Sequence, residues 1–154
     1  ETIQTGATAR KGGGTDVTVV GQAASYDPIV AGAPGGITEG LYSGTGQPFA
    51  YPDSSPEVKA WSDKFKAKTG RDANTAAQYG YVIGDIVVKA LESSGKDLTR
   101  AKFIAAMEGL KDYKPMFPGP AVSYGADKRQ GTTASFLAKV DGGRWKVVGE
   151  TLMY

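Results

Sequence analysis

Two polar stretches of the chain could bind a small molecule. The first is the loop from Gly21 to Asp27, which follows a short run of β-branched residues. Open α/β sheets bind ligands just beyond the ends of their strands, so a polar loop at such a place is a candidate binding loop. The second is the cluster of Gln78, Tyr79 and Tyr81 near the start of a predicted helix. The positive end of the helix dipole favours an anionic group at that position.

The residue types that are missing restrict the chemistry at these stretches to binding. The chain contains no cysteine and no histidine. This absence removes thiol nucleophiles, disulfides, Cys or His metal ligands and every Ser–His or Cys–His catalytic pair. No motif places two carboxylates as an acid and base pair. We therefore expect no catalytic residue, no metal and no cofactor, and we predict that the protein is not an enzyme.

The overall composition excludes two classes of partner. The chain has 154 residues, 40% of them hydrophobic, which is enough to bury a core. Its 18 basic and 16 acidic residues leave a net charge of +2 with no basic run, so nothing favours nucleic acid. There is no apolar run of the length that spans a bilayer, and we expect no membrane insertion.

Gln78 and Tyr79 are positioned by a helix that the sequence predicts from Asn74 to Gly95. Asn74 can cap the first turn, and Gly95 can adopt the positive-φ conformation that ends a helix. Apolar residues recur at three- and four-residue steps and predict one buried stripe. Gln78 lies off this stripe, whose members are Tyr79, Val82, Ile83, Ile86, Val87, Ala90 and Leu91.

The other predicted elements run from strands and loops to helices and back to strands. The first part contains a helix end at Ile3–Lys11, a strand at Val17–Val20, a helical turn at Ile29–Ala33 and a second strand at Ile37–Ser43. Ser55 and Pro56 begin a helix that buries Val58, Trp61 and Phe65 and ends at Gly70. Thr99 caps a third helix, whose inner face is Phe103, Ile104, Met107 and Leu110. Strands follow at Val122 and Tyr124, at Thr133–Val140 and at Arg144–Val148, the last two joined by an Asp141–Gly143 hairpin turn.

Three stretches in this order resemble the C-terminal part of type I periplasmic solute-binding proteins, the branched-chain amino-acid (leucine-binding-like) family of ABC transporters. They are VTVVGQAASYDP, SPEVKAWSDKFKAKTGRDANTAAQYGYVIGDIVVKALESSGKDLTRAKFIAAMEGLKDY and PGPAVSYGADKRQGTTASFLAKVDGGRWKVV. The resemblance implies an α/β fold of two Rossmann-like lobes with three crossovers, here incomplete. A ligand would bind in the cleft between the lobes, and hinge motion would close it.

The same resemblance divides the chain into three parts. Residues 1–53 would belong to the C-terminal lobe, residues 54–117 would be helices returned to the N-terminal lobe, and residues 118–154 would be terminal strands of the C-terminal lobe. A complete family member is more than twice as long, so we expect a fragment of a longer protein. The apolar stripes of the returned helices would then lack their partner, and the isolated chain should dimerise, swap elements or expose apolar surface.

The resemblance also assigns ligand-binding residues on both sides of the cleft. They are Gln22, Ala23, Ala24, Ser25, Tyr26 and Asp27 in the loop, with Gln78 and Tyr79 on the helix. Amino-acid binders of the family carry an acidic residue where this chain has Ala23. Either Asp27 supplies that charge from a shifted position, or the ligand is not an α-amino acid.

Each of these residues also has an ordinary structural interpretation. Asp27 before Pro28 could instead satisfy its own backbone in a turn. Tyr79 could pack in the core, and Gln78 could be a solvated polar residue. Tyr26 and Tyr42 are placed to form aromatic walls for an apolar or aromatic ligand, although interface tyrosines are common without one.

The leading functional hypothesis is a substrate-binding protein, or a fragment of one, that captures a small polar or amphipathic solute for an ABC transporter. Its expected partners are an amino acid, amide or aromatic acid and a membrane permease. The expected location is periplasmic or extracellular, after export with a signal peptide that is not part of this chain. An alternative is the ligand-sensing domain of a receptor or regulator with the same fold. A weaker third class is an enzyme that uses Ser, Lys or carboxylate chemistry.

Overall fold

A computed structural model of the chain describes residues 18–153. The helix end predicted at Ile3–Lys11 and the beginning of the strand predicted at Val17–Val20 lie outside these residues. The chain divides into two compact units. Unit 1 contains the residues up to Phe49 and those from Ala134 onward, and unit 2 contains Ala50–Thr133.

Unit 1 is built on a four-stranded sheet in which the strands follow the chain order. The strands are β1 (Val20–Gly21), β2 (Tyr42–Thr45), β3 (Ala134–Asp141) and β4 (Arg144–Met153). β1 and β2 are parallel, and the other two pairs are antiparallel. The second predicted strand begins later than expected, because residues 37–40 form a turn in front of it.

Two short connections complete unit 1 as the sequence indicated. The helical turn predicted near Ile29 is α1 (Pro28–Ala31), and 3-10 turns span Ala23–Ser25 and Pro34–Gly36. The hairpin turn between β3 and β4 is also confirmed. Its two central residues, Gly142 and Gly143, have φ values of 61° and 72°, which are the left-handed values that a two-residue turn of this kind requires. The Glu39 carboxylate accepts hydrogen bonds from both of their amides.

The core of unit 1 lies on one side of the sheet. Ala138 and Val140 of β3 are completely buried, and Leu41 and Trp145 are nearly so. Alternate residues of β3 point to opposite faces, so these two positions share the inner face. The Tyr26 ring packs against Trp145 with 5.0 Å between ring centroids.

Unit 2 contains the three predicted helices, and each begins at its predicted cap. They are α2 (Pro56–Thr69), α3 (Thr75–Ser94) and α4 (Arg100–Gly109). The side chains of Ser55, Asn74 and Thr99 accept hydrogen bonds from first-turn amides. Gly70 ends α2 with a left-handed conformation, and Gly95 ends α3 at φ 74°.

The burial of α3 corrects the prediction of one buried stripe. Its buried residues are four apart and include two polar ones: Gln78, Val82, Ile86, Ala90 and Ser94. The neighbouring row, Tyr79, Ile83, Val87 and Leu91, is exposed. Ile104 of α4 is exposed as well, contrary to its predicted place on the inner face. The unit 2 core covers only one row of α3, so periodicity alone made the buried face too wide.

The segment after α4 is held to the helices rather than forming the predicted strand. Tyr113 and Val122 form an isolated antiparallel bridge, and the Tyr124 amide donates to the Leu110 carbonyl. Pro115, Pro118 and Pro120 prevent a continuous ladder because proline has no amide proton. Residues 118–133 consequently belong to the compact unit that contains the helices, not to the unit that contains β3 and β4.

Candidate functional site

The loop that follows β1 is the first candidate site, and a 3-10 turn and hydrogen bonds hold its backbone. Gln22, Ala23 and Ala24 are exposed, whereas Ser25 and Tyr26 are buried. The 3-10 turn over Ala23–Ser25 turns the exposed residues outward. The Ser43 hydroxyl donates to the Gln22 carbonyl at 2.9 Å, which ties the start of the loop to β2. The loop therefore presents a small exposed rim on a buried base.

Tyr26 is the main anchor of this loop. Its side chain is 3% exposed, and its hydroxyl accepts a hydrogen bond from the Phe49 amide at 2.9 Å. The ring contacts Trp145, and the Trp145 indole N–H donates to the Asp27 carbonyl at 2.9 Å. Burial of the ring places Tyr26 in the core of unit 1, beneath the loop rim. Its predicted ligand contact stays a prediction.

Asp27 performs the turn chemistry that was one of its two interpretations. The half-buried side chain accepts from the Ile29 amide at 3.0 Å and caps α1. A capping carboxylate has a second oxygen, so this bond alone does not prevent Asp27 from contacting a ligand. The exposed rim formed by Gln22, Ala23 and Ala24 carries no charge of its own.

The burial of Gln78 and Tyr79 is the reverse of what the sequence indicated. Gln78 is 1% exposed, and its Oε1 accepts from the Ala50 amide at 2.8 Å, so it is a buried polar residue and not a solvated one. Tyr79 lies on the exposed row and not in the core. The four-residue spacing from Gln78 to Val82 was the sequence signal for the burial of Gln78. A buried glutamine is expected on an apolar row only when its hydrogen-bond partner is known.

Tyr42 lies on β2, and its ring is 5.5 Å from the Lys139 ammonium, a cation–π distance.

Two hollows lie elsewhere. The first, in unit 2, has a volume of about 480 Å³, and its lining includes Trp61, Phe65, Tyr81 and Met116 together with Lys64 and Lys68. The second, in unit 1, has a volume of about 540 Å³ and lies beside β3 and β4. Neither hollow is lined by a predicted ligand-binding residue, except that Tyr81 belongs to the polar cluster at the start of α3.

One polar contact was missed by the sequence analysis. The Tyr113 hydroxyl donates to the Asp85 carboxylate, and the Lys89 ammonium is 5.7 Å from the Tyr113 ring. Partial burial, together with the hydrogen bond to Asp85, raises the pKa of Tyr113 well above its ordinary value. Asp85 and Tyr113 are 28 residues apart in the chain, so no local pattern indicated the contact.

Two other kinds of site are absent from residues 18–153. No group of three or more Asp or Glu side chains is arranged there to hold a metal ion. Within the same residues, no helix has the length and apolarity needed to cross a bilayer.

The sequence model of the periplasmic binding protein family matches residues 1–144. The chain belongs to this family. Solved structures confirm the fold, and each of the following three aligns over 99% of this chain. A branched-chain amino acid ABC transporter protein from Thermus thermophilus with bound valine aligns with a TM-score of 0.80 at 18% identity. A fatty acid ABC transporter substrate-binding protein from Thermomonospora curvata aligns at 0.74 and 23% identity. A solute-binding protein from R. palustris in complex with benzoate aligns at 0.67 and 16% identity.

The chain is a type I periplasmic binding protein fold in incomplete form. It spans 43%, 41% and 40% of the lengths of these three proteins. At such identities the alignments establish the fold alone. No significant match was found among curated proteins. The three similar structures all come from ABC transporter systems, and their names carry different ligands: valine, fatty acid and benzoate.

Proposed function

We propose that this periplasmic binding protein chain is part of a substrate-binding protein that captures a small polar or amphipathic solute and delivers it to the permease of an ABC transporter. We place it in the periplasm or outside the cell, where the family works. The observation that carries the proposal is the loop after β1. Its exposed rim, Gln22 to Ala24, stands on the buried base of Ser25 and Tyr26.

A rim of this kind suits the capture of a solute. Three hydrogen bonds reach the loop from distant parts of unit 1, namely Ser43 to Gln22, Phe49 to Tyr26 and Trp145 to Asp27. A loop that is already ordered loses little conformational entropy when a ligand binds to it. The alanine side chains at positions 23 and 24 leave room for a solute to approach the backbone.

The charge of the loop favours a solute that does not depend on its ammonium group. Asp27 is the only acidic residue between Val20 and Thr38. Its carboxylate already caps α1 through the Ile29 amide. We therefore favour a carboxylic acid or amide with an apolar body over an α-amino acid, and keep the α-amino acid as the alternative in which Asp27 contacts the ligand.

We further propose that the α2–α4 helices belong to the other lobe of the binding protein and that β3 and β4 belong to the lobe that contains the loop. The exposed apolar row of α3 supports this assignment, because a row of large apolar residues on a helix normally packs against another element. On this proposal, a sheet outside the present chain covers Ile83, Val87 and Leu91.

The direct test is an NMR titration of the 154-residue chain with valine, valinamide, isovalerate and benzoate. Isovalerate differs from valine by the absence of the ammonium group. We expect shifts at the amides of Gln22–Ala24, with isovalerate or benzoate binding more tightly than valine. The affinities should be weak, in the millimolar range of about −4 kcal/mol, since only part of a cleft is present. Absence of loop shifts with all four compounds, or consumption of any of them, would contradict the proposal.

Two sets of variants sharpen this titration. Ala24→Arg should abolish the loop shifts, whereas Ala105→Arg, on an exposed position of α4, should not. Asp27→Asn keeps a good capping side chain but removes the charge. If valine binding falls by tenfold or more in Asp27→Asn, about 1.4 kcal/mol, then Asp27 serves the ammonium group and the preference for an acid or amide is wrong.

A further inference from the structure

The hollow in unit 2 is built along one face of α2. Residues at three- and four-residue steps lie side by side on a helix, and this face contributes Glu57, Ala60, Trp61, Lys64, Phe65 and Lys68. Tyr81 of α3 and Met116 also line the hollow. Its volume of about 480 Å³ lies within the range of small-molecule pockets, about 300–1,000 Å³. This α2 hollow therefore has the size of a small-molecule site.

The aromatic wall of the α2 hollow is anchored in the core of unit 2. Trp61 packs against that core, and its ring meets those of Phe117 and Tyr81 edge to face, with centroid distances of 4.8 Å and 5.7 Å. Phe117 is 2% exposed, and the Phe65 ring lies 5.8 Å from Trp61. Rings that are already packed lose little conformational entropy when another ring binds against them. The hollow is therefore suited to an aromatic body.

The charges of the α2 hollow favour an anion. Of the four lysines on α2, Lys59 and Lys66 form ion pairs with nearby aspartates and do not line the hollow. Lys64 and Lys68 do line it, and within residues 18–153 neither has a carboxylate at ion-pair distance. Glu57 is the acidic residue of the lining, and it lies about 10 Å along the helix axis from Lys64 at 1.5 Å per residue. The hollow consequently has a positive end that a carboxylate would neutralise.

The α2 hollow and the exposed row of α3 lie on opposite flanks of that helix. Successive helical residues are rotated by about 100°, so Tyr81 and Ile83 are about 160° apart, on either side of the buried Val82. Tyr81 lines the hollow, whereas Ile83 belongs to the row that the proposed function assigns to a sheet outside the chain. A sheet packed on Ile83 would lie on the flank away from the hollow. The hollow therefore needs an occupant of its own.

We propose that the α2 hollow is a second binding site, which takes a small organic anion with an aromatic body and one carboxylate. The ring packs against Trp61 and Phe65, and the carboxylate lies between the ammonium groups of Lys64 and Lys68. These lysines are four residues apart, which places both within reach of one carboxylate. Both are exposed, so water screens the attraction and the charge supplies a modest part of the affinity. The assignment uses no residue of the loop after β1 and goes beyond the proposed function.

The test is an NMR titration of the 154-residue chain with three compounds that share one apolar body: 3-phenylpropionate, the neutral 3-phenylpropanamide and the cationic 3-phenylpropylamine. The indole N–H of Trp61 reports the α2 hollow, and that of Trp145, which donates to the Asp27 carbonyl, reports unit 1. We expect the acid to shift the Trp61 signal and to bind about fivefold more tightly than the amide, with the amine weakest. No Trp61 shift with the acid, or binding of the amide or amine as tight as that of the acid, would overturn the proposal.

Two lysine pairs on the same helix test the charge. The double variant Lys64→Gln and Lys68→Gln should weaken binding of the acid about fivefold, to the level of the amide, and leave binding of the amide unchanged. The matched control, Lys59→Gln and Lys66→Gln, removes the same charge at positions outside the lining and should leave both affinities unchanged. Equal losses of acid binding in the two double variants would show that the lysines of the hollow do not hold the carboxylate.

Two alanines of α2 test the shape of the hollow. Ala60 is exposed and lines it, so Ala60→Tyr should fill the space and abolish the shift of Trp61 with the acid. Ala67 is exposed on α2 outside the lining, and Ala67→Tyr should keep the shift. A shift in Ala60→Tyr as large as in the parent would place the ligand elsewhere and overturn the site.

The same spectra identify another occupant and separate this site from the proposed function. If the Trp61 signal moves on dilution of the chain without any ligand, a second copy occupies the hollow and the proposal is wrong. Shifts of the Gln22–Ala24 amides with isovalerate or benzoate report the proposed function and should persist in Ala60→Tyr. Loss of the loop shifts alone contradicts the proposed function, and loss of the Trp61 shift alone contradicts the α2 hollow.

Discussion

The inner face of β3 in unit 1 and the α3 helix in unit 2 use apolar residues in different ways. On β3, the apolar residues Ala138 and Val140 are fully buried, and their neighbours in the unit 1 core, Leu41 and Trp145, are nearly so. On α3, Val82 and Ile86 are buried, but the adjacent Ile83 is 60% exposed and Leu91 is exposed as well. The apolar residues on the inner face of the strand are buried, whereas only one of the two apolar rows of the helix is buried. A helix with two apolar rows can therefore bury one row inside its own unit and leave the other for a second surface.

Each unit contains one tryptophan, Trp145 in unit 1 and Trp61 in unit 2, so each unit has its own fluorescence signal. Fluorescence of the Trp61→Phe variant reports unfolding of unit 1, and fluorescence of Trp145→Phe reports unfolding of unit 2.

Truncation of Trp145 should produce the largest loss. Trp145→Ala removes a buried ring that packs on Tyr26 and a hydrogen bond to the Asp27 carbonyl. We expect unit 1 to lose about 3–5 kcal/mol of stability. Circular dichroism of the sheet measures this loss, and Trp61 fluorescence should show a smaller change in unit 2. If both signals shift equally, the two units unfold together and do not have independent cores.

Within α3, the two apolar rows should differ sharply. Ile86→Ala should lower the free energy of unfolding of unit 2 by about 2–4 kcal/mol, because it opens a cavity beside Val58 and Phe117. Ile83→Ala, on the exposed row, should change it by less than about 0.5 kcal/mol. Denaturant unfolding followed by Trp61 fluorescence measures both. The exposed row should also bind an apolar dye, and Ile83→Lys should reduce that binding. If Ile83→Ala and Ile86→Ala lower the free energy of unfolding by similar amounts, the second row is covered and not exposed.

The cap of α3 should have a moderate effect. Asn74→Ala removes the acceptor of the Ala77 amide and should cost about 1 kcal/mol. Asn74→Asp keeps an acceptor and should be close to the parent. Thermal unfolding followed by Trp61 fluorescence compares the two variants. If both are equally destabilised, the cap does not determine where α3 begins.

The smallest effect should be confined to high pH. Burial and the bond to Asp85 raise the pKa of Tyr113, so the folded chain keeps a proton that the unfolded chain releases above pH of about 10. The contribution of Tyr113 is therefore complete below that pH and is lost as the pH rises toward the folded value. Tyr113→Phe should flatten the fall in stability of unit 2 above pH of about 10, as measured by urea unfolding. Tyr124→Phe is the control, and an identical slope in Tyr113→Phe and the parent would contradict the assignment.

Local chemistry was predictable wherever the interacting groups are close in the chain. The three helix caps, the Gly70 terminus and the Gly142–Gly143 turn depend on residues within four positions of one another, and all were confirmed. The strand near Val122 was wrong because the alternating pattern there is too short to distinguish a strand from a single bridge. The family resemblance, in contrast, used the order of several segments and established the fold over nearly the whole chain.

The candidate site divides in the same way. The loop after β1 was located by its polar composition and by the strand before it, and Asp27 followed the turn chemistry of its sequence. Which loop residues face outward was decided by Ser43, Phe49 and Trp145, none of which is near the loop in the chain. The ligand-binding roles of the loop, Gln78 and Tyr79 stay predictions.

The sequence is sufficient to locate both ends of α3, because Asn74 and Gly95 act on the backbone next to them. The helical period also places the apolar residues on one side of the helix, which the sequence analysis interpreted as a single buried stripe. Tertiary contacts bury only one row of that side and include Gln78 in it. The physical reason is that burial depends on the area that other elements offer, and the acceptor on Gln78 has a purpose only when the Ala50 amide, 28 residues earlier, is brought against it.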